Sequence, residues 1–128
     1  MKFTISAFIA LAAALLLNSS AALSHHGWAA FSSETQITLK GTLTDFHFVN
    51  PHSVVEFKVA DEKGQTQPWE GELASPSRLV PRGWTAASLE VGEKITVTGY
   101  PAKNGSHAIR VTRITLSNGK ELKLGGEN

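Results

Sequence analysis

Apolar and polar residues alternate along most of the chain after residue 35, with the period of two that is typical of β-strands with one buried face. The first alternating run extends from Thr35 to Phe48 and contains an internal glycine, Gly41. Its apolar positions are Ile37, Leu39, Leu43, Phe46 and Phe48. Because the phase shifts after Leu43, this run predicts one long, bent strand that carries a β-bulge.

The same alternation predicts a second strand around Val55–Val59 and a third over Thr66–Leu73. Two later strands are predicted around Ile95–Val97 and Ile109–Leu116, and a short last one around Leu122–Leu124. Turn signals separate them: Asn50-Pro51, Asp61-Glu62-Lys63-Gly64, Asn104-Gly105 and Asn118-Gly119. Asn-Gly pairs are strong two-residue hairpin signals, so the last three strands are expected to follow one another as hairpins.

A different pattern lies between the third and fourth strands. Ser75 followed by Pro76 predicts the start of a short helix, with the serine as N-cap and the proline at the first helical position. Pro81 and Gly83 limit the length of this helix, and Thr85–Leu89 is expected to add one more capped turn.

This order of elements predicts an all-β fold with one short helix. Three strands, a helix and then further strands match the five-stranded oligonucleotide/oligosaccharide-binding fold, or OB-fold, here as a five- to six-stranded Greek-key barrel. An open meander or a β-sandwich is the alternative architecture.

The N-terminal segment has a different composition, with Lys2 followed by an apolar run from Ala7 to Leu17. Small residues at Ala22 and Ser24 predict a secretory signal peptide over residues 1–24 that is cut before His25, although cuts after Ala21 or Ala22 also satisfy the small-residue rule. The remaining organisation is expected to be an N-terminal arm over residues 25–34, a barrel domain over 35–124 and a flexible tail over 125–128. We therefore expect a periplasmic protein without a membrane anchor after cleavage, since the apolar run is too short to span a bilayer.

Charge and cysteine content narrow the possible functions. Loss of Lys2 leaves 11 Lys and Arg residues against 11 Asp and Glu residues, and no basic cluster is present. A neutral exported chain is a poor candidate for binding nucleic acid, so none is expected as a partner. The chain has no cysteine, which excludes disulfides, thiol chemistry and thiolate metal sites.

Histidines are the best candidates for chemistry. His25 and His26 become the new amino terminus if the signal is cut before them, and a free α-amine beside an imidazole can chelate copper(II), nickel(II) or zinc(II). A cut after Ala22 would instead place His25 third, where the amine, two amides and the imidazole can surround a square-planar ion. The alternative is a solvated His pair without a physiological metal. The initiator is the only methionine, which disfavours a copper(I) carrier.

Two further histidines, His47 and His52, flank the first predicted hairpin and could complete the metal site. His47 is expected on the strand face opposite to Phe46 and Phe48, so His47 and His52 need not converge. Each is otherwise interpreted as a hydrogen-bonding anchor of the loop. His107 is interpreted as an isolated surface residue.

A second hypothesis is a binding module without a metal, which uses an aromatic face for a small ligand, a peptide, a glycan or a periplasmic partner protein. Its candidate residues are Trp28, Trp84, Phe48 and Arg82. It predicts an exposed cluster around Trp84 and Phe48, whereas the structural interpretation places Trp69 and Trp84 in the core. Arg82 and Arg78 are expected to form a cationic edge, to pair with Glu70 or Glu72, or to stay solvated.

An enzyme is the third and last-ranked hypothesis. The sequence contains no Gly-x-Ser-x-Gly elbow, phosphate loop or His-Glu-x-x-His helix. Glu70 and Glu72 alternate on one strand face without a positioned partner in the sequence, which is weak evidence for acid/base catalysis. We therefore expect a non-catalytic protein.

Several short motifs occur in a characteristic order along the chain. They are His25-His26-Gly27-Trp28, Leu39-Lys40-Gly41, Asn50-Pro51-His52, Trp69, Arg82-Gly83-Trp84-Thr85 and Gly99-Tyr100-Pro101. Together with the signal peptide, they resemble a family of small exported proteins of Gram-negative bacteria that is catalogued as a domain of unknown function. The resemblance covers the whole mature chain and implies periplasmic residence and a compact β-barrel-like domain. It implies no activity or catalytic residue.

Overall fold

The computed structural model describes residues 27–124 of the chain. The predicted signal peptide, the candidate ligands His25 and His26 and the predicted tail over residues 125–128 lie outside the described residues.

Six strands and one short α-helix form the described part. The strands are β1 (Ile37–His47), β2 (Val54–Ala60), β3 (Thr66–Glu72), β4 (Lys94–Pro101), β5 (Ala108–Leu116) and β6 (Glu121–Lys123). The helix α1 (Pro76–Leu79) lies between β3 and β4 and continues into a 3₁₀ turn, Val80–Arg82. A second 3₁₀ turn, Trp28–Ala30, precedes β1.

The sheet closes on itself through one parallel ladder. Strands β3, β2, β1, β4 and β5 pair antiparallel in that order, and β3 then pairs parallel with β5. The strand β6 is an extra hairpin partner of β5 outside this closed ring. The result is a closed five-stranded barrel with one extra strand and a helix between the third and fourth strands, which confirms the predicted OB-fold-like architecture. The alternative of an open meander or sandwich is wrong, because the β3–β5 ladder removes the open edges.

The strand β1 is long because it pairs with two neighbours in succession. Its first half pairs with β4 and its second half with β2, with a register shift between Leu43 and Asp45 that is the predicted bulge. A Cβ at Gly41 would lie 2.7 Å from the carbonyl oxygen of Lys58, so glycine allows the close approach of β1 and β2. The bulge moves the apolar face from Leu43 to Phe46 and aims Asp45 outward with His47.

The helical segment differs from the prediction in detail. Ser75 precedes the helix as predicted, but its side chain makes no capping bond; its hydroxyl contacts the Ser77 hydroxyl at 3.0 Å. The backbone carbonyl of Ser75 accepts instead from the amides of Arg78 and Leu79. Residues 85–89 form a turn in which the Ser88 hydroxyl accepts from the amide of Thr85 at 2.8 Å.

The core fills the barrel and extends under the helix. Its buried members are Leu43, Val55, Phe57, Leu73, Leu79, Trp84, Leu89, Ile95, Val97, Ile109, Val111, Ile114 and Leu124. Trp84 is 3% exposed and donates its indole N–H to the carbonyl oxygen of Lys123 at 2.8 Å, so one buried ring joins the helical segment to β6. Within residues 27–124, no helix combines the length and the apolar character needed to cross a membrane.

Candidate functional site

The outer surface of the barrel carries one continuous row of neighbouring residues across five strands. In β-sheet register, His47 pairs with Val54, Val54 with Glu72, Glu72 with Arg110 and Arg110 with Tyr100. Their immediate sequence neighbours on β3 and β5 are buried, so alternation turns Glu72 and Arg110 outward. The row links the predicted histidine region to a cationic and aromatic region on the far side of the β3–β5 ladder.

His47 lies between two carboxylates at one end of this row. Its Nε2 is 3.1 Å from Glu56 Oε1 and 3.4 Å from Asp45 Oδ2. Asp45 and Glu56 are register partners on β1 and β2, and one ligand atom from each of the three residues lies within 4.8 Å of the others. Within residues 27–124 this is the one group of three such side chains at that spacing. All three side chains are about half exposed, so the cluster is solvated.

His52 forms a separate pair with Glu72. The distance between His52 Nδ1 and Glu72 Oε1 is 2.7 Å, and the two side chains are 38% and 21% exposed. Because the carboxylate accepts, Nδ1 carries the hydrogen and Nε2 is left as the nitrogen with a free lone pair when the ring is neutral. The loop is held by Ser53, whose amide donates to Ala74 at 3.0 Å and whose carbonyl accepts from Leu73 at 2.8 Å.

The structure therefore keeps His47 and His52 apart, on different carboxylates. They lie two strands from each other along the row, since His52 is held by β3 and His47 is on β1. At a strand spacing of about 4.8 Å, this separation is too large for both imidazoles to share one ion without a shift of the loop. The contact of His52 with Glu72 matches the alternative interpretation of a loop anchor, whereas the contacts of His47 lie on strands β1 and β2.

The N-terminal arm is attached next to the His52–Glu72 pair. The Trp28 ring lies over the guanidinium of Arg110, with 4.5 Å between the ring centroid and Cζ. Further along the arm, Phe31 is buried and bridges to Ala102, while the amide of Lys103 donates to Ala30 at 2.9 Å. The residues that follow His25 and His26 therefore lie beside Arg110, which is the register neighbour of Glu72.

A groove of about 710 Å³ follows the arm on this side of the barrel. Its charged lining residues are Arg82, Arg110, Arg113 and Lys123 on the basic side and Glu72 and Glu121 on the acidic side. Leu73, Leu122 and Leu124 contribute apolar surface, and Trp28 and Tyr100 contribute rings. Arg113 pairs with Glu121 at 3.4 Å.

The predicted aromatic face is only partly present. Trp28 is 55% exposed, and Arg82 lines the groove. Trp84 is buried, so its assignment as an exposed stacking platform is wrong; the structural interpretation of Trp84 is confirmed. Phe48 packs against the core with its ring centroid 5.8 Å from Phe46, which in turn lies 6.0 Å from Trp84, so the expected exposed cluster does not form. The reason is the bulge in β1, which directs both phenylalanines inward.

Three other sequence interpretations are corrected. His107 is exposed, but it is not isolated, since its ring stacks on Trp69 with 4.8 Å between the centroids. Trp69 is half-buried against the core rather than fully inside it. Within residues 27–124, Arg78 and Arg82 form no ion pair with Glu70 or Glu72; Arg82 donates to the carbonyl of Arg78.

The most informative residues that the sequence did not reveal are Arg110 and Tyr100. Both lie on strands with ordinary alternation, and nothing local distinguishes Arg110 from a solvated arginine. Their importance comes from the β4–β5 register and from the return of the arm over β5. The one sequence feature that pointed to Tyr100 was Gly99-Tyr100-Pro101, which is among the motifs that resemble the family.

Comparison with known proteins gives a family but no activity. A family model described as a family of unknown function matches residues 12–110 of the chain. A search of curated proteins finds no match.

Proposed function

The chain belongs to this family, DUF6152, and because membership assigns no activity, we propose that the protein is an exported, non-catalytic module that binds a divalent metal. In this proposal the mature N-terminal residues His25 and His26 bind the ion together with His52. The observation that carries the proposal is the contact between His52 and Glu72.

This contact has the form of a metal ligand with its supporting carboxylate. Histidines that bind metals usually donate their second ring N–H to a carboxylate, which fixes the tautomer and makes the free nitrogen a better ligand. His52 Nδ1 faces Glu72 at 2.7 Å, so Nε2 is the nitrogen that would bind. The half-exposed ring is accessible from the surface, whereas His47 already directs its Nε2 at two carboxylates.

The attachment of the arm supports the contribution of His25 and His26. Trp28 lies on Arg110, and Arg110 is the register neighbour of Glu72. Three residues of extended chain cover about 10 Å, and neighbouring strands are about 4.8 Å apart. The arm is therefore long enough for the amine and ring of His25 to reach His52.

The donor set favours copper(II). An α-amine and imidazoles are nitrogen donors, and copper(II) binds such sites more tightly than nickel(II) or zinc(II) do. No cysteine is present, so a thiolate does not compete for the ion. The expected protein is thus a nitrogen-ligand copper(II) binder, with nickel(II) and zinc(II) as weaker occupants.

The test uses protein exported from a Gram-negative host, so that the cell produces the mature amino terminus. Intact mass identifies the first residue, and copper(II) affinity is then measured by competition with a chelator. We expect binding tighter than micromolar, with nitrogen coupling in the electron paramagnetic resonance spectrum. Ala substitution at His25 or His52, or selective acetylation of the α-amine, should weaken binding by roughly tenfold or more.

Matched variants separate this site from the other histidines. His107→Ala removes an exposed imidazole that stacks on Trp69, and it should leave copper(II) affinity unchanged. If His47→Ala weakens binding and His52→Ala does not, the ion binds at the Asp45 and Glu56 cluster and the proposed site is wrong. Micromolar binding that is insensitive to acetylation of the α-amine would reject the whole proposal.

The same preparation tests the location of the protein. A signal peptide over residues 1–24 predicts that the mature chain is recovered in the periplasmic fraction with His25 as its first residue. Recovery of an uncut chain in the cytoplasmic fraction would contradict the proposed export. A first residue of Leu23 would move His25 to the third position, and His52→Ala would then have no effect on copper(II) affinity.

A further inference from the structure

Arg110 is held in an unusual way for a surface arginine. Its guanidinium contacts two aromatic rings, with Cζ 4.5 Å from the Trp28 centroid and 4.6 Å from the Tyr100 centroid. Its Nε is buried and has no hydrogen-bond partner. Among residues 27–124, no acceptor or acid is paired with any of its nitrogens.

This arrangement leaves a preoriented cation with unused donors. A guanidinium carries five N–H donors in one plane, in a fork that matches the two oxygens of a carboxylate. The two rings that lie against the guanidinium restrict its position. Since Nε is buried, the two Nη groups are the donors that remain for an acceptor, and donors without a partner in folded proteins call for an explanation.

The surroundings of Arg110 favour an anion with an apolar part. Arg82 and Lys123 line the same groove of about 710 Å³, and no ion pair engages either of them within the described residues. The two acids of the groove already have partners, His52 for Glu72 and Arg113 for Glu121. The partly buried Leu122 supplies apolar surface beside these charges, and the core residues Leu73 and Leu124 line the groove with small exposed fractions.

We propose that this groove binds a small organic carboxylate with an apolar body. The carboxylate accepts from the Nη groups of Arg110, and its charge is balanced further by Arg82 and Lys123. The apolar body lies along Leu122. An organic carboxylate is favoured over inorganic phosphate, because only the organic anion has an apolar body that can be buried against Leu122.

This site does not depend on the proposed metal site. The metal would be bound by His25, His26 and His52, whereas the carboxylate site uses Arg110 and its neighbours on β5 and β6. Carboxylate binding is therefore measured on protein from which a chelator has removed any metal. If the metal proposal is wrong, this proposal still stands.

The experiment titrates the mature protein with octanoate, acetate, 1-octanol and inorganic phosphate, with two-dimensional NMR shifts as the readout. Octanoate should bind at least tenfold more tightly than acetate, which lacks the body, and 1-octanol, which lacks the charge. The shifts should map to Trp28, Arg110 and Lys123. Equal binding of 1-octanol and octanoate, or tighter binding of phosphate, would overturn the proposal.

Variants identify the group that recognises the carboxylate. Arg110→Gln should weaken octanoate binding roughly tenfold, and Arg110→Lys should weaken it as well, because an ammonium keeps the charge but lacks the planar fork. Lys123→Gln and Arg82→Gln change exposed side chains, so both variants should fold. Each should weaken octanoate binding about threefold. Lys40→Gln removes the same charge from an exposed position outside this groove and should have no effect. An unchanged affinity in all groove variants would reject the site.

Discussion

Replacement of Trp84 by Phe tests whether the buried indole stabilises the fold through the contact that the structure shows. Trp84 is 3% exposed, and its N–H donates to Lys123 in β6 over 2.8 Å. Phenylalanine keeps an aromatic ring but removes this donor and part of the ring volume. Trp69→Phe is the matched control, because Trp69 is only half-buried and makes no indole hydrogen bond within the described residues.

The expected loss follows from two contributions. The missing donor leaves the Lys123 carbonyl without its partner, which costs about 1 kcal/mol. The smaller ring leaves a void among well-packed neighbours, which costs about 1 kcal/mol more. We therefore expect the free energy of unfolding to fall by about 2 kcal/mol, with a Tm lower by roughly 10 °C for a domain of this size.

Urea unfolding followed by far-UV circular dichroism measures both variants. Trp69→Phe should lose about 0.5 kcal/mol, since it keeps most of its stack on His107. Hydrogen exchange should also accelerate in β6 of Trp84→Phe before it does so in β1. A loss for Trp69→Phe that equals or exceeds the loss for Trp84→Phe would refute the reasoning that burial and the Lys123 bond decide the cost.

Three further substitutions test other contacts. A Cβ at Gly99 would collide with the backbone carbonyl of Arg110, so Gly99→Ala should lower the free energy of unfolding by more than about 2 kcal/mol, as measured by chemical denaturation. Gly27 has open space around it, so the control Gly27→Ala should change this free energy by less than about 0.5 kcal/mol. Trp28→Leu removes the ring over Arg110, a contact worth about 0.5–1 kcal/mol. Because the N-terminal arm is then held less firmly, copper(II) binding should weaken two- to fivefold. An unchanged copper(II) affinity would show that the arm does not position the ligands. Glu121→Gln removes an exposed ion pair and should change the unfolding free energy by less than about 1 kcal/mol, with the difference vanishing at high salt.

The sequence was sufficient to predict the barrel because its signals are local. Alternation, the phase shift after Leu43 and the Asn-Gly turns each act within a few residues, and together they predict the strand order and the bulge. Ser75 and Pro76 likewise predict a helix start from neighbours alone, although the serine side chain does not cap it.

The candidate sites depend on contacts between distant residues, which local patterns do not contain. Glu72 pairs with Arg110 in a parallel ladder, although the two residues are 38 positions apart in the sequence. No turn motif predicts this pairing. The burial of Trp84 depends on where β6 returns, so the sequence favoured a core position for this ring but did not identify its partner Lys123. His52 could be recognised as a candidate, but its partner Glu72 could not.

The β3–β5 ladder is the shortest of the five that close the barrel, and it covers only Glu70–Glu72 against Ala108–Arg110. These two strands have no hairpin between them, so this seam is expected to close last during folding and to open first during native-state fluctuations. Glu72 and Arg110 lie at its end, and each belongs to one of the two proposed sites. A ligand bound at either site would therefore stabilise one end of this ladder and slow amide exchange across its three residue pairs.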